Sequence, residues 1–413
     1  MLFISHAKTQ RREVGTALRA VRACSSVSFA PLRLCVRIFL ASLLLTATAF
    51  SEQRFPPPDF ESGYHLPLTA TPAPRADFMQ YVDAMVLLGA LALALWLVYR
   101  NRSRRGITAL SIFSLAYFGF YRKGCVCAIG SVQNVALALC DSHYAVPLTV
   151  LIFFLAPLLV ALFAGRAFCA AVCPQGALQD LVLIRPLKVP AWLEAALGLI
   201  AYLFLGAGVI FAATGNGFLI CRFDPLVPFF RFNGSLLMIT LGAAFLVVGM
   251  FVGRPYCRFL CPYGALLRMV TVAAKWRVRV TPDTCTQCAL CQHSCPFGAM
   301  REPTPQKGEP LSVARRRLTG LLLLLPVLMG LCAWGGSQLA VASHFTELGG
   351  GIFGAWMGLV FGGKLIALSV RYNRSDFEPD SGACFACARC FETCPSERMR
   401  RGLMPHEPVS KEE

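Results

Sequence analysis

The chain has 413 residues, of which 56% are hydrophobic and only 15% charged, with a formal net charge of +17 and a mean hydropathy of +0.58. That composition excludes a soluble globular domain and indicates an integral membrane protein. In a chain this apolar the positive charge reads as the basic bias of cytoplasmic loops, so no nucleic-acid partner is expected.

Residues 1–50 carry Arg11, Arg12, Arg19, Arg22, Arg33 and Arg37 ahead of the apolar stretch Ile38 to Phe50. The stretch is short for a span and suits a targeting or anchor segment. Residues 51–80, with Pro56-Pro57-Pro58 and Pro72, read as an extended external linker. Apolar runs of about 20 residues suffice to cross the bilayer. They predict spans over Tyr81 to Tyr99, Ile107 to Tyr121, Val146 to Ala164, Ala191 to Ala213, Ser235 to Val252, Leu318 to Trp334 and Ile352 to Val370. The expected fold is an all-α polytopic membrane protein of about seven transmembrane helices with small cytoplasmic ferredoxin-like elements. It divides into a transmembrane core over 81–272, a ferredoxin motif over 273–317, a transmembrane hairpin over 318–370, and a second ferredoxin motif and tail over 371–413.

Arg100, Arg102, Arg104 and Arg105 follow the first span, Arg166, Arg185 and Lys188 the third, and Arg315, Arg316 and Arg317 precede the sixth. Placed inside, they predict a bacterial inner-membrane protein with both ferredoxin motifs on the cytoplasmic side. Arg122 and Lys123 fall on the opposite side and break the pattern.

Within the core, Gly165-Arg166-Ala-Phe168-Cys169-x3-Cys173-Pro174-x-Gly176-Ala177-Leu178 repeats as Gly253-Arg254-Pro-Tyr256-Cys257-x3-Cys261-Pro262-x-Gly264-Ala265-Leu266. Cysteines four apart share a helix face, while the proline disfavours helical backbone at the second cysteine, so each copy predicts a helix broken at the membrane edge. Cys169, Cys173, Cys257 and Cys261 could hold a further cluster or metal, with Arg166 and Arg254 balancing thiolate charge, or serve as small buried hydrophobes. A degenerate third copy places Cys127-x2-Gly130-Ser131-Val132-Gln133 in the register of Cys173-x2-Gly176-Ala177-Leu178-Gln179. Topology puts Cys125, Cys127, Cys140 and Cys221 outside, as a redox site or as disulfides. An ordinary span of about 30 Å would separate the two cysteine layers.

The remaining signal is the pair of runs Cys285-x2-Cys288-x2-Cys291-x3-Cys295-Pro296 and Cys384-x2-Cys387-x2-Cys390-x3-Cys394-Pro395. This is the bacterial ferredoxin spacing, which predicts two [4Fe-4S] clusters. Zinc knuckles or disulfides are the alternative, but zinc favours two Cys-x2-Cys pairs over three cysteines in seven residues followed by Cys-Pro.

Together, the twin Cys-x3-Cys-Pro motifs and the paired ferredoxin runs resemble the membrane-bound polyferredoxin family that includes the regulator of nitrous oxide reductase and the quinol-oxidising membrane subunit of periplasmic nitrate reductase. The resemblance covers roughly residues 81 to 397. It implies electron transfer between a quinol or cytoplasmic ferredoxin-like donor and a periplasmic redox protein, metalloenzyme or maturation system. The eight ferredoxin cysteines match, as do Cys169, Cys173, Cys257 and Cys261. Residues 51–80 are too few for the external flavin-binding domain of the nitrous-oxide regulator, so flavin is not expected. The hairpin between the two runs leaves the exchange of fourth ligands open.

Haem is not expected either, because none of His6, His65, His143, His293, His344 and His406 lies deep within a span. Nor does any phosphate-binding or dinucleotide motif appear. Asp83 and Glu194 lie near span ends and answer a helix dipole as readily as they would serve proton or quinone chemistry. The expected function is that of an electron-transfer component with no assigned catalytic residue. The alternatives are a maturation or regulatory factor for a periplasmic metalloenzyme and a thiol–disulfide relay.

Overall fold

The structure, a computed structural model, describes residues 77–124, 128–141, 143–215, 217–276, 278–280, 285–304, 311–342, 347–369 and 374–403. The N-terminal segment, most of the linker, Cys125 and Cys127 lie outside the described residues.

The described chain is mostly helical. Four helices are long and apolar enough to cross a membrane: Phe78–Asn101, Ala191–Ala213, Arg315–Gln338 and Leu348–Ala367. They coincide with the first, fourth, sixth and seventh expected spans. The first comprises α1 (Asp77–Leu95) and a π-helical extension to Asn101, and the second expected span is α2 (Arg104–Ser114) continued as π-helix to Tyr121. Three apolar helices are shorter: α3 (Ala128–Cys140), α4 (Leu148–Ala164) and, after α5 to α9, α10 (Leu236–Gly249). Helix α3 was not expected, because Ser131, Gln133 and Asn134 dilute its hydropathy.

Short helices break the long ones where the cysteine motifs fall. After α4, Gly165 takes a φ of 72° and the chain forms α5 (Ala167–Ala171) and α6 (Pro174–Leu181). Next come α7 (Ala191–Ala213), α8 (Leu219–Arg222) and α9 (Val227–Arg231). Beyond α10 the second copy forms α11 (Pro255–Phe259) and α12 (Pro262–Val270). Cys173 and Cys261 both have extended backbone and cap the next helix, whose first residue is the proline. Proline suits that first position because its missing N–H would have no partner there and its φ is preset. Glycine at the third helical position is needed in both copies: a Cβ on Gly176 would lie 2.7 Å from the Cys169 carbonyl, and one on Gly264 2.8 Å from that of Cys257. The repeat is therefore one compact turn built twice.

Helices α14 (Leu311–Ala342) and α15 (Glu347–Ser369) form the hairpin. Their backbones meet at Gly336, Gly354 and Gly358, the small-residue contact used by helices in lipid. Helix α15 is tied to α7 by the Trp356 indole, which donates to the Tyr202 carbonyl at 2.9 Å. The two ferredoxin runs fold together at the base of this hairpin. Strands β1 (Met300–Arg301) and β2 (Glu378–Pro379) pair antiparallel, Met300 opposite Pro379, and short helices α13 (Leu290–Ser294), α16 (Arg389–Thr393) and α17 (Pro395–Arg400) complete the module.

Two charges that broke the basic-side pattern or sat near span ends have partners. Arg122 pairs with Asp83 at 2.6 Å, and Glu194 pairs with Arg258 at 2.9 Å. Pairing removes much of the cost of placing Arg122 on the less basic side.

Candidate iron–sulfur site

Each ferredoxin run bends around a cavity, and the fourth cysteines cross over. Cys285, Cys288 and Cys291 line one cavity with Cys394 of the second run. Cys384, Cys387 and Cys390 line the other with Cys295 of the first. Val280, Met300 and Phe377 pack with Cys291, Cys295, Cys390 and Cys394 between them. The hairpin does not keep Cys295 and Cys394 from the opposite cavities, and β1 pairs with β2 across it.

The backbone is equally matched. Gln287 and Ala289 in the first run, and Ala386 and Ala388 in the second, all have φ between 52° and 62°. Left-handed backbone at non-glycine residues is costly, and here it recurs at the same two offsets. Such alternation turns successive N–H groups toward one point, a concavity for an anion. Among the described residues, no three His, Cys, Asp or Glu side chains are grouped so as to hold a metal ion. Four thiols spread around a cavity suit a cubane, which offers one iron to each thiolate. Burial pushes the Cys384 thiol up to about 12, with Cys387 and Cys295 adding to the rise. Burial pushes Cys291 up to about 11, reinforced by Cys288, Cys285 and Cys394. Such crowded thiols become thiolates together when a cationic metal core neutralises them. The residues present therefore fit the cluster at both cradles.

The second cradle sits directly on the duplicated motif. Phe385, which follows Cys384, and Phe297, which follows Cys295-Pro296, stack with centroids 4.7 Å apart. Arg166 lies 4.0 Å from the Phe385 centroid, and Arg254 lies 5.3 Å from Phe385 and 5.6 Å from Phe297. Arg254 also donates to the carbonyls of Cys169 and, at 3.1 Å, Ala170. Asp180 gathers Arg104 at 2.6 Å, Arg389 at 3.2 Å and Arg254 at 3.3 Å. Burial alone would raise the Asp180 pKa, and the three guanidinium groups overcome it, holding the carboxyl well below the usual range. Glu397, fully buried, takes Arg102 at 2.8 Å and Arg400 and Arg401 at 3.0 Å. The basic residues after the first span thus clamp the ferredoxin module.

Cys169, Cys173, Cys257 and Cys261 are all buried and lie within electrostatic reach of one another. The Gly264 N–H donates to the Cys261 sulfur at 3.3 Å. Gln179 donates to the Cys257 sulfur at 3.2 Å and accepts from the Tyr256 N–H at 3.0 Å. The third copy repeats that last bond: Gln133, six residues after Cys127, accepts from the Ile220 N–H at 2.9 Å, just before Cys221. Cys140 and Cys221 are free, exposed thiols, so no disulfide joins them. Sequence reasoning gave no site role to Gln179, Asp180, Phe297 or Phe385; Phe385 follows Cys384 directly and Phe297 follows Cys295-Pro296, while Gln179 and Asp180 lie six and seven residues after Cys173.

A family profile described as a 4Fe-4S binding domain matches residues 146–199, 235–280 and 289–307, segments that hold the two Cys-x3-Cys-Pro motifs and Cys291 and Cys295. Over 186 residues the chain is 27% identical to YccM of Escherichia coli strain K12, a protein named for a role in electron transport, covering 41% of this chain and 52% of YccM. It is 30% identical over 240 residues to protein NirI of Paracoccus denitrificans, covering 54% of this chain and 34% of NirI. It is 27% identical over 235 residues to the regulatory protein NosR of Pseudomonas aeruginosa, covering 52% of this chain and 33% of NosR. The chain thus spans about half or less of the length of these relatives. No solved structure matches it. Apolar helices, a 4Fe-4S domain and these relatives define a membrane-associated iron–sulfur protein of the ferredoxin type. Within that class the chain is similar to NirI and NosR over about half of its own length.

Proposed function

We propose that the chain carries electrons between its ferredoxin module and the duplicated cysteine site, and from there to a quinone or a periplasmic redox partner. The observation that carries this reading is the contact of Arg166 and Arg254 with Phe385, which seats the second cradle against the four buried cysteines. Clusters bound by Cys285, Cys288, Cys291 and Cys394, and by Cys384, Cys387, Cys390 and Cys295, would supply one-electron, outer-sphere chemistry.

The protein's own part is geometric and electrostatic. Asp180 and Glu397 fix the module against the membrane helices, which keeps separations short and constant. Arg166 and Arg254, both buried, offset the negative charge of thiolates on either side of them. Phe297 and Phe385 exclude water from the junction. We further infer that the four internal thiols hold a third centre, because Arg166, buried beside them, forms no ion pair among the described residues, whereas Arg254 has Asp180. The module faces the cytoplasm on this reading, since Arg100, Arg102, Arg104 and Arg105 lie at its end of the first helix.

Anaerobic iron and sulfide quantification with EPR, on wild-type protein and on a Cys169→Ser/Cys257→Ser variant, tests this. A signal lost only in the variant supports a third centre. Identical spectra and iron contents would leave the duplicated motif without one.

NosR is named a regulatory protein, and in a second reading the same electrons serve the maturation or regulation of a periplasmic metalloenzyme. A deletion strain separates the two: a metal-free partner enzyme that is still reduced normally supports the second.

A further inference from the structure

A cavity of about 330 Å³ opens among the membrane helices, with Asp83, Thr149, Cys221, Asp224, Arg122 and Arg231 in its lining. It lies at the end of α1 and α4 remote from the ferredoxin module. Asp83 and Thr149 stand near the starts of those helices, whereas Tyr99 and Ala164, near their ends, are joined by a 2.7 Å hydrogen bond beside Cys384. Sixteen residues from Asp83 to Tyr99 correspond to about 24 Å of helix. The cavity therefore enters from the opposite membrane face. Cys221 and Arg231 are exposed at its rim, while Asp224 and Asp83 are 5% and 1% exposed in its depth. Its volume is well above what a single water needs, and its lining offers enough polar groups to hold several.

One buried wall of this cavity meets the duplicated cysteine site. Asp224 accepts from the Gln175 amide at 2.7 Å and from the Leu226 N–H at 3.1 Å. Gln175 is the second residue of α6, two residues after Cys173. Its own side-chain oxygen is buried and has no hydrogen-bond partner among the described residues. Short helices from the two membrane faces thus touch, α6 against the α8–α9 turn, and one glutamine separates a carboxylate from a motif cysteine. The expected gap of a whole span between the layers is absent here.

We propose that this cavity is a proton-uptake route ending at Asp224, through which proton binding is coupled to electron arrival at the duplicated cysteine site. The inference rests on the reading that this site holds a redox centre. Each electron that reaches it adds one negative charge close to Asp224 in a low-dielectric surround, and that charge favours the protonated carboxyl. One proton moves from cavity water to the Asp224 carboxylate as one electron arrives from the ferredoxin module. Both leave when the site is oxidised by its partner, the proton returning to the cavity. Of the two buried acids, Asp83 is unsuited, being locked as a carboxylate by Arg122 at 2.6 Å and by the Tyr117 hydroxyl at 2.9 Å. Asp224 forms no ion pair among the described residues. The groups facing it are Gln175 from α6, Tyr256 from α11, Cys221 from α8, Arg231 from α9 and, across the cavity, the Arg122–Asp83 pair.

The test uses the full chain in lipid nanodiscs, with the midpoint potential of the EPR signal assigned to the duplicated site followed across the neutral pH range. The wild type is expected to fall by about 59 mV per pH unit, the slope of one proton per electron. A protonated-carboxyl band should appear in its reduced-minus-oxidised infrared spectrum. Asp224→Asn should flatten the slope and abolish the band, Asp224→Glu should retain both, and Asp83→Asn should leave the slope in place. A pH-independent potential in wild-type protein, or an unchanged slope in Asp224→Asn, overturns the coupling while leaving the redox reading intact. Absence of any signal from the duplicated site overturns that reading, and this inference with it.

Discussion

Arg166 stands 4.0 Å over the ring of Phe385, and its repeat-mate Arg254 reaches the same ring at 5.3 Å. A single aromatic residue, adjacent to Cys384, is thus the surface on which both copies of the membrane motif meet the ferredoxin module. Phe385→Ala removes both contacts and opens a gap between two guanidinium groups. Each cation–π contact contributes about 0.5–2 kcal/mol, so the variant should melt several degrees lower and exchange electrons more slowly between the module and the membrane layer. Phe385→Tyr, which keeps the ring, should behave like wild type in both thermal melts and stopped-flow reduction.

The crossed placement of Cys295 and Cys394 makes a pairing prediction that ordinary single variants would miss. Cys285 and Cys394 line the same cavity, whereas Cys384 lines the other. Cys285→Ser/Cys394→Ser should cost one cluster, about four irons, and Cys384→Ser/Cys394→Ser should cost both. Uncrossed ligation would give the reverse, and anaerobic iron analysis tells them apart.

These relationships differ in how far the sequence discloses them. The ferredoxin runs and the duplicated motif are local patterns, because the turn that presents three cysteines is encoded within seven residues. Glycine at 176 and 264 is likewise local, dictated by a carbonyl seven residues earlier. The crossing of Cys295 and Cys394 is not, since it depends on β1 and β2 meeting across a whole membrane hairpin. Hydropathy also treats residues 146–164 and 235–252 as ordinary spans, and they are helical. It cannot register that each is followed by two short helices, or that Asp224 from one side finds Gln175 from the other. The third copy was legible as a register of residues around Gln133; its role as acceptor for the Ile220 N–H needed the fold.

Asp180 predicts how the module's docking responds to pH. Its carboxyl, depressed by Arg254, Arg104 and Arg389 despite burial, contributes stability that is complete above its unfolded pKa, about 3.9, and is lost only as pH falls toward the lower folded value. Docking should therefore be constant from neutrality to about pH 5 and weaken in stronger acid. Asp180→Asn leaves three buried or half-buried cations short of a partner, at a cost of about 3 kcal/mol or more. The melting difference between wild type and variant should hold steady near neutrality and shrink below about pH 4.

The hairpin is expected to matter to the clusters although it contributes no ligand. A Cβ on Gly354 would lie 2.0 Å from the Cys332 carbonyl, and one on Gly358 2.6 Å from the Met329 backbone. Both obstacles are backbone, so neither can yield by rotating a side chain. Gly354→Ala must push α14 and α15 apart, at a cost of about 1–3 kcal/mol for overpacking. The ends of these helices lead into β1 and β2, whose antiparallel pair holds Cys295 and Cys394 in reach of the opposite runs. Separation of the helices should therefore loosen the fourth ligand of each cradle before it disturbs the other three. Gly354→Ala is expected to retain its iron when prepared anoxically, but to lose it faster than wild type on exposure to oxygen or chelator. Gly363→Ala, at a position with open space around it, is the matched control. Equal rates of iron loss in the two variants would show that the hairpin and the cradles are mechanically independent.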